Sequence, residues 1–508
     1  MTTAFPRIHL SKRKFLSGAA AIASASILPT WRRAEAAAGY DMIVVGAGTA
    51  GMPAAIFAAE RGGKVLVIEK ASVLGGTLDR STGQMAASRT VYQKAKGIED
   101  SPDAHYADNM RINNSTADPV LTRLFVDNAG DTLNWLDANG FKVNDNHPVK
   151  GGGHEPFLTP RYQWGAEGGK SIFKTMLPLF EKVVGTGKVT VAMNTGAVDL
   201  VQDKSGAVVG VMTEDDNGVR KDFMSKNVVL AAGGCASNPR MFRDLHNVDL
   251  TIEIAYPFSQ GMGITLGQGA GGYVRGGDKF ATLFGTILED NHFPSPQWGG
   301  LNTNPDSRPP WEIYVNVRGE RFLREDHPSV DFREHALLKQ PGLRMWVIAD
   351  QAMMDKAPPM SRKPPEAFRA EFGRHPMFHK AETLDELAVK AGVNPRGLAN
   401  TVAAYNRAIT EGAHDPFGRL HRPAQVATGP FYAVALTGWT VMSFAGLAVD
   451  GQLRVIRPDG TPIPNLYAAG EVIGGGATSG AAYTNGAMVT PALTFGRLLG
   501  QRMLKFSA

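Results

Sequence analysis

Gly46, Gly48 and Gly51 stand in the stretch GAGTAG, directly after the apolar run DMIVV and directly before MPAAIFAAERGG, which has helical spacing and a glycine stop. That spacing suits a pyrophosphate. Gly46 allows the tight turn, Gly48 lets the backbone approach phosphate oxygens and Gly51 lets the helix pack closely, while the N–H groups at the helix start favour negative charge. A second apolar run, KVLVIEK, ends at Glu69, where a carboxylate can accept hydrogen bonds from the ribose hydroxyls of an adenosine. Ala50 and Lys70, beside the turn and the acid, complete this group. Two further strand-to-glycine stretches, KNVVLAAGGCASN (226–238) and IPNLYAAGEVIGGG (463–476), place Ala232, Gly233, Gly234, Gly470 and Glu471 at strand ends where backbone can approach the same ligand. Cys235 reads as a small buried filler.

A second chemical constellation is the loop KGGGHEPFLTPRYQWGAEGGKS, residues 150–171. Functional loops concentrate such polar and aromatic mixtures, so His154, Arg161, Tyr162 and Trp164 are candidates for the mouth of the cofactor pocket; a long ordered surface loop is the alternative.

The elements that must position these residues need more than one core, because 508 residues exceed what a single core holds. The strand, glycine turn, helix and strand over 41–70 predict parallel strands. Residues 256–430 change character, with many prolines around FPSPQWGG and helical patterns in ETLDELAVKAGV and RGLANTVAAYNRAIT, and read as an inserted cap domain. The formal charge of +5 resides in residues 1–36, where six cations face Glu35 alone. The neutral remainder gives no electrostatic reason to expect nucleic acid or an anionic membrane as partner. The same 36 residues carry a basic start, an apolar run too short to span a membrane, and Ala34-Glu35-Ala36 as a cleavage site. They read as an export signal of twin-arginine type, with Lys12 in place of the first arginine, and predict a periplasmic protein beginning near Ala37. With Cys235 as its one cysteine, the chain has no internal disulfide and no CxxCH haem site.

Taken together, the dinucleotide turn, VLGGT (73–77), VVLAAGG (228–234), RGERFLRE (318–325), ETLDELA with TVAAYNRA, and NLYAAGEV with GAMVTPALTFG resemble the flavoprotein family of fumarate reductases, succinate dehydrogenases and 3-ketosteroid dehydrogenases. The resemblance implies an α/β fold: a Rossmann-like FAD-binding domain built from both chain ends (40–255 and 431–506) and an inserted α+β cap, the catalytic domain (256–430). It implies FAD as cofactor, with Gly75, Gly76, Thr77 and Gly83 along the flavin, Glu471 at the ribityl region, and Ala487, Met488 and Val489 opening a helix whose N–H groups face the flavin pyrimidine edge. The segment GGTLDRSTGQM has no histidine to attach the flavin, so FAD is expected to be non-covalent.

The resemblance also frames the substrate. Dicarboxylate-reducing relatives hold their substrate with an arginine and a histidine where this chain has Tyr483 and Met442; a desolvated carboxylate without a paired cation is costly, which disfavours fumarate and succinate. Tyr483 instead resembles the tyrosine with which ketosteroid dehydrogenases polarise a ketone; packing filler is its alternative. The second tyrosine of those enzymes is replaced by Ser329, leaving Arg333, His327, His335, Tyr162 and His154 as candidates for moving a proton. The expected reaction is transfer of two hydrogens across a CH–CH bond next to a carbonyl, one as hydride at flavin N5 and one as a proton. The partners expected are a small carbonyl substrate and a separate electron carrier such as a quinone or cytochrome. Reduction of an unsaturated carboxylate, or a pure electron relay, are the alternative functions.

Overall fold

The computed structural model describes residues 39–504; the expected export signal lies outside the described residues. Strand Met42–Val45 is apolar and buried along its whole length because it sits inside a six-stranded sheet. Val65–Ile68 and Val228–Leu230 flank it in parallel. Val189–Ala192 extends one side and Pro462–Ala468 the other, again in parallel, and Arg454–Ile456 closes the far edge antiparallel. Continuous Val/Ile/Leu runs are what a parallel sheet covered on both faces requires. The helix Val489–Leu498 returns from the far end of the chain to lie against the first helix, Gly51–Glu60, so closely that a Cβ on Gly496 would sit 2.0 Å from the Ala50 carbonyl oxygen. The FAD-type lobe is thus assembled from both ends of the sequence.

A second hydrophobic core surrounds an antiparallel sheet whose strands run in the order Gln297–Gly299, Leu283–Leu288, Phe431–Trp439, Arg344–Asp350 and Ile313–Val315, with Phe378–Ala381 also pairing Phe431–Trp439. This is the cap. It starts later and ends later than the 256–430 read from composition: Ile264, Leu266, Phe280 and Ala281 pack into the first core, whereas Phe431–Trp439 is the central strand of the second. The apolar run FYAVALTGW marks a buried strand, but its pattern does not say which of two sheets receives it.

The RGERFLRE segment is a brace within the cap. Arg321 donates to Glu325 at 2.6 and 2.7 Å and to Asp415 at 2.5 Å, all three side chains being buried. It leads into the helix Val330–Leu338, whose N-cap is Ser329, donating no charge but accepting from the Phe332 N–H. No helix among the described residues is long and apolar enough to cross a membrane.

Candidate active site

The glycine turn has the backbone geometry its sequence demands. Gly46 has φ of +103°, and a Cβ on Gly51 would fall 1.8 Å from the Gly46 carbonyl oxygen, so neither position accepts a side chain. Gly48 is different: at the opening above the turn its Cβ would meet Gly76 at 3.8 Å, an ordinary contact, so packing within the chain does not by itself demand glycine there. Gly75 donates its N–H to the Ala47 carbonyl at 2.9 Å, which brings the Gly75-Gly76-Thr77 segment over that opening. Glu69 is buried beside it and accepts from the Ala47 and Ala71 N–H groups, both at 2.8 Å, which fixes the carboxylate with lone pairs left for hydroxyl donors.

Across the opening, a small cleft is lined by Gly470, Glu471, Gly475, Met488 and Ala492. Gly470 packs against Ala50, and Glu471 accepts from the Ser443 N–H (2.8 Å) and hydroxyl (3.1 Å), with burial raising its pKa. A Cβ on Gly234 would strike Ser443 Oγ at 2.0 Å and Glu471 at 2.4 Å; Ala232 and Gly233 precede it at the end of strand Val228–Leu230. Helix Val489–Leu498 begins after Ala487 and Met488 with no side-chain cap and no acid in its first turn, so its positive end is available to an electron-rich ligand edge. These residues fit a flavin dinucleotide.

Two expected cofactor contacts have other tasks. Lys70 sends its ammonium to Asp216 at 2.6 Å on the surface, and Gly83 is required for packing, since its Cβ would lie 2.3 Å from the Gly168 backbone. Glu69→Ala is expected to weaken FAD retention by about 1.5 to 3 kcal/mol, the worth of hydrogen bonds to a charged acceptor. Equilibrium dialysis of FAD against the variant measures this, and parental affinity would remove Glu69 from the site.

On the cap side, Tyr483 donates its O–H to Thr440 Oγ1 at 2.7 Å, and Thr440 donates in turn to the Met442 carbonyl at 3.0 Å. The Tyr483 ring stacks on His154 with centroids 5.3 Å apart and meets Phe444 edge-on. His154 Nδ1 lies 3.6 Å from a carboxylate oxygen of Glu334, a residue 3% exposed. Burial raises the Glu334 pKa, opposed by His154. Burial also raises that of Tyr483, so the phenol stays protonated. At 100° per residue, Asp331, Glu334, His335 and Leu338 share one side of helix Val330–Leu338, and they line a small pocket together with Ala281 and Thr282.

Several expected proton carriers are corrected by this arrangement. Arg333 lies on the other side of its helix, over the Phe284 ring and donating to the Thr303 carbonyl at 2.5 Å, because its position in the helical period faces the cap sheet. Tyr162 is buried in a small apolar cluster with Ala86, Ile112 and Phe157, and burial raises its pKa, which disfavours a phenolate base. Arg161 does not line a pocket mouth: it is fully buried between Asp100 and Asp108. Trp164 packs on His147 and Tyr162. His327 stacks on Phe332. His154 is the loop residue brought to Tyr483, and Glu334 is the group that sequence reasoning missed, although helical periodicity puts it beside His335.

His335 ties the cap to the C-terminal segment, with Nε2 3.1 Å from the Ala481 carbonyl and Nδ1 3.2 Å from Asp331, and these partners push its pKa up to about 9. A raised histidine pKa contributes stability that is full below about 6.5 and lost as pH rises through about 9. For a side chain one third exposed the contribution is about 1 kcal/mol after solvent screening. Chemical denaturation across that pH window should show the decline in the parent and not in His335→Gln.

Residues 41–487 match the family model described as FAD binding domain. The chain belongs to this family. It is 29% identical over 471 residues to a fumarate reductase (cytochrome) of Shewanella frigidimarina, covering 92% of this chain and 77% of that protein. It is 31% identical over 473 residues to a urocanate reductase of Eggerthella lenta, covering 91% and 74%. The solved open conformation of a flavocytochrome c3 fumarate reductase superposes with a TM-score of 0.67 at 26% identity over 92% of this chain and 78% of that one. A 3-ketosteroid delta1-dehydrogenase from Sterolibacterium denitrificans shares the fold, with a TM-score of 0.68 at 20% identity over 92% and 99%. Like these family members, the protein is an FAD-dependent oxidoreductase.

Proposed function

We propose that the protein adds or removes two hydrogens across a carbon–carbon bond conjugated to the carbonyl of an uncharged substrate. One observation carries this reading: the side chains that bond to or stack on Tyr483, Thr440, His154 and Phe444, include no lysine or arginine, and the charged group buried beside His154 is a carboxylate, Glu334. A dicarboxylate in that position would meet like charge, while the buried Arg333 guanidinium is turned to the other side of its helix. Bound FAD supplies the two-electron chemistry. Tyr483 supplies a neutral donor for a carbonyl oxygen by exchanging Thr440 for the substrate, one hydroxyl acceptor for another, while Thr440 keeps its bond to Met442. Phe444 and the stacked His154–Tyr483 pair form an aromatic wall that orients a flat substrate.

Reduction of an unsaturated carboxylate is the second reading. It is favoured by the names of two relatives and by Arg333, a buried guanidinium that makes no ion pair within 4 Å among the described residues and whose Nε has no acceptor. The two separate in an anaerobic screen of holoprotein against saturated and unsaturated ketones, steroids, monocarboxylates and dicarboxylates, watching flavin bleaching and reoxidation. Ketones or enones are expected to respond; response to carboxylates alone would overturn the uncharged-substrate reading. Electron exchange with a separate quinone or cytochrome, and a periplasmic location, belong to the same proposal; the basic, apolar and Ala-x-Ala order of residues 1–36 supports the latter.

A further inference from the structure

His154 and Glu334 come from segments about 180 residues apart in the chain, one from the glycine-rich loop and one from the cap helix, and meet beside Tyr483. The Nδ1 atom of His154 is buried, lies 3.6 Å from the Glu334 carboxylate and makes no hydrogen bond. Its side chain is still 24% exposed, and Nε2 is not among its buried unpartnered atoms, so the second ring nitrogen is left for another partner. Glu334 makes no other hydrogen bond or ion pair among the described residues, so no fold-stabilising task accounts for a carboxylate at this depth. A buried carboxylate within 4 Å of one ring nitrogen, with the other left for a second partner, is the arrangement that orients an imidazole and meets the charge it gains when it takes a proton.

We infer that His154 is the residue that exchanges the substrate's proton at carbon, and that Glu334 positions it. In the dehydrogenating direction the C–H bond next to the carbonyl breaks, its proton forms a bond with Nε2 of neutral His154, and its electron pair enters the enolate. Glu334 meets the positive charge at Nδ1, Tyr483 donates to the enolate oxygen, and closure of the new C=C bond expels hydride from the neighbouring carbon, its two electrons going to the FAD this family uses. In the reducing direction the imidazolium returns the proton. The other ionisable groups around the pair are Tyr483, with Glu471 in electrostatic reach of it, Asp331 and His335 on the same side of the helix, and Arg333 on its other side; Asp331 raises and Arg333 lowers the Glu334 pKa. Glu155, next to His154 in the chain, is paired with Arg111 at 3.7 Å.

The inference rests on the carbonyl reading only for the choice of substrate, and its test has one arm that needs none. In substrate-free holoprotein, the infrared band of a buried protonated carboxyl should appear as pH falls, be absent in Glu334→Gln, and appear at higher pH in His154→Ala, where the partner that favours the carboxylate is gone. An unmoved band in His154→Ala would overturn the pair. The second arm measures single-turnover proton transfer by deuterium wash-in, using whichever ketone or carboxylate responds in the screen. His154→Ala is expected to lose about 10² to 10⁴-fold, the range for one general acid–base group, with partial rescue by added imidazole. Glu334→Gln should lose about 10- to 10³-fold, the effect of one opposite charge within about 4–6 Å, and shift the pH profile, while Glu334→Asp recovers part of the loss. Wash-in within about twofold of the parent in His154→Ala would assign the proton to another group, since it falls far short of that range. A screen answered only by carboxylates would retire the ketone reading and leave the pair to be judged on the same two arms.

Discussion

Arg161→Met is expected to destabilise the holoprotein by about 3 to 5 kcal/mol, the cost of breaking a buried ion pair and leaving a buried carboxylate without its cation. Here the partners are two. Arg161 donates from Nε and Nη2 to Asp100 at 2.9 and 2.7 Å and from Nη1 to Asp108 at 2.7 Å, with all three side chains at most 2% exposed. Methionine would fill much of the volume, leaving Asp108 its pair with Arg111 but leaving Asp100 only the neutral donors Gln93 and the Ser101 N–H, in a surround that includes His105 and Phe157. Arg161→Lys should recover little, because an ammonium is a point donor and cannot fork to both acids. Chemical denaturation of parent and variants gives the difference, and a loss under about 1 kcal/mol, the size of an exposed pair, would mean that the acids are solvated. Because Arg161 holds the segment that carries Tyr162, Gln163 and Trp164, loss of the brace should also loosen the His154 end of the same loop and lower turnover along with stability.

Tyr483→Phe is expected to keep the fold and FAD and to slow the chemical step by about 10² to 10³, the usual loss for one oxyanion donor. Only a hydroxyl is removed, the ring stays stacked on His154, and Thr440 keeps its donation to the Met442 carbonyl. Ground-state binding should change little, because the phenol serves charge that develops during the reaction rather than charge on the bound substrate. Single-turnover flavin reduction or reoxidation with the responding compound measures it. A rate within about twofold of the parent, far below the donor effect, would assign the phenol to Thr440 permanently and make Tyr483 a wall.

What could be read from the chain and what could not divide by sequence separation. The glycine turn, its helix and Glu69 lie within one short stretch, so residue spacing alone encodes their geometry. The loop 150–171 is recognisable by composition, yet the fate of each of its residues depends on distant partners: Arg161 is captured by acids 61 and 53 positions earlier, whereas His154 is released to the cap. Tyr483 is placed by its motif, but its acceptor Thr440 lies 43 residues away. Reading the segment FREHALL for cations puts Arg333 forward and passes over Glu334; only the helical period, with Leu337 buried in the cap core, shows which of the neighbours looks outward. The strand Phe431–Trp439 is legible as a strand and illegible as to sheet, because both cores offer an apolar slot.

The place of strand Pro462–Ala468 sets an order of events during synthesis. Val228–Leu230 pairs with Met42–Val45 on one side and with Pro462–Ala468 on the other, and the whole cap is translated between the two neighbours. While the ribosome is making the cap, the growing chain therefore carries an apolar strand with one bare hydrogen-bonding edge, kept to three residues and so a poor template for mispairing. The late strand covers that edge, and the helix Val489–Leu498 that follows it brings the last wall of the dinucleotide cleft against Ala50. The wall formed by Gly470, Glu471, Met488 and Ala492 is therefore in place only after the cap has been translated, so the dinucleotide cleft is completed late in synthesis although its glycine turn and Glu69 are made first.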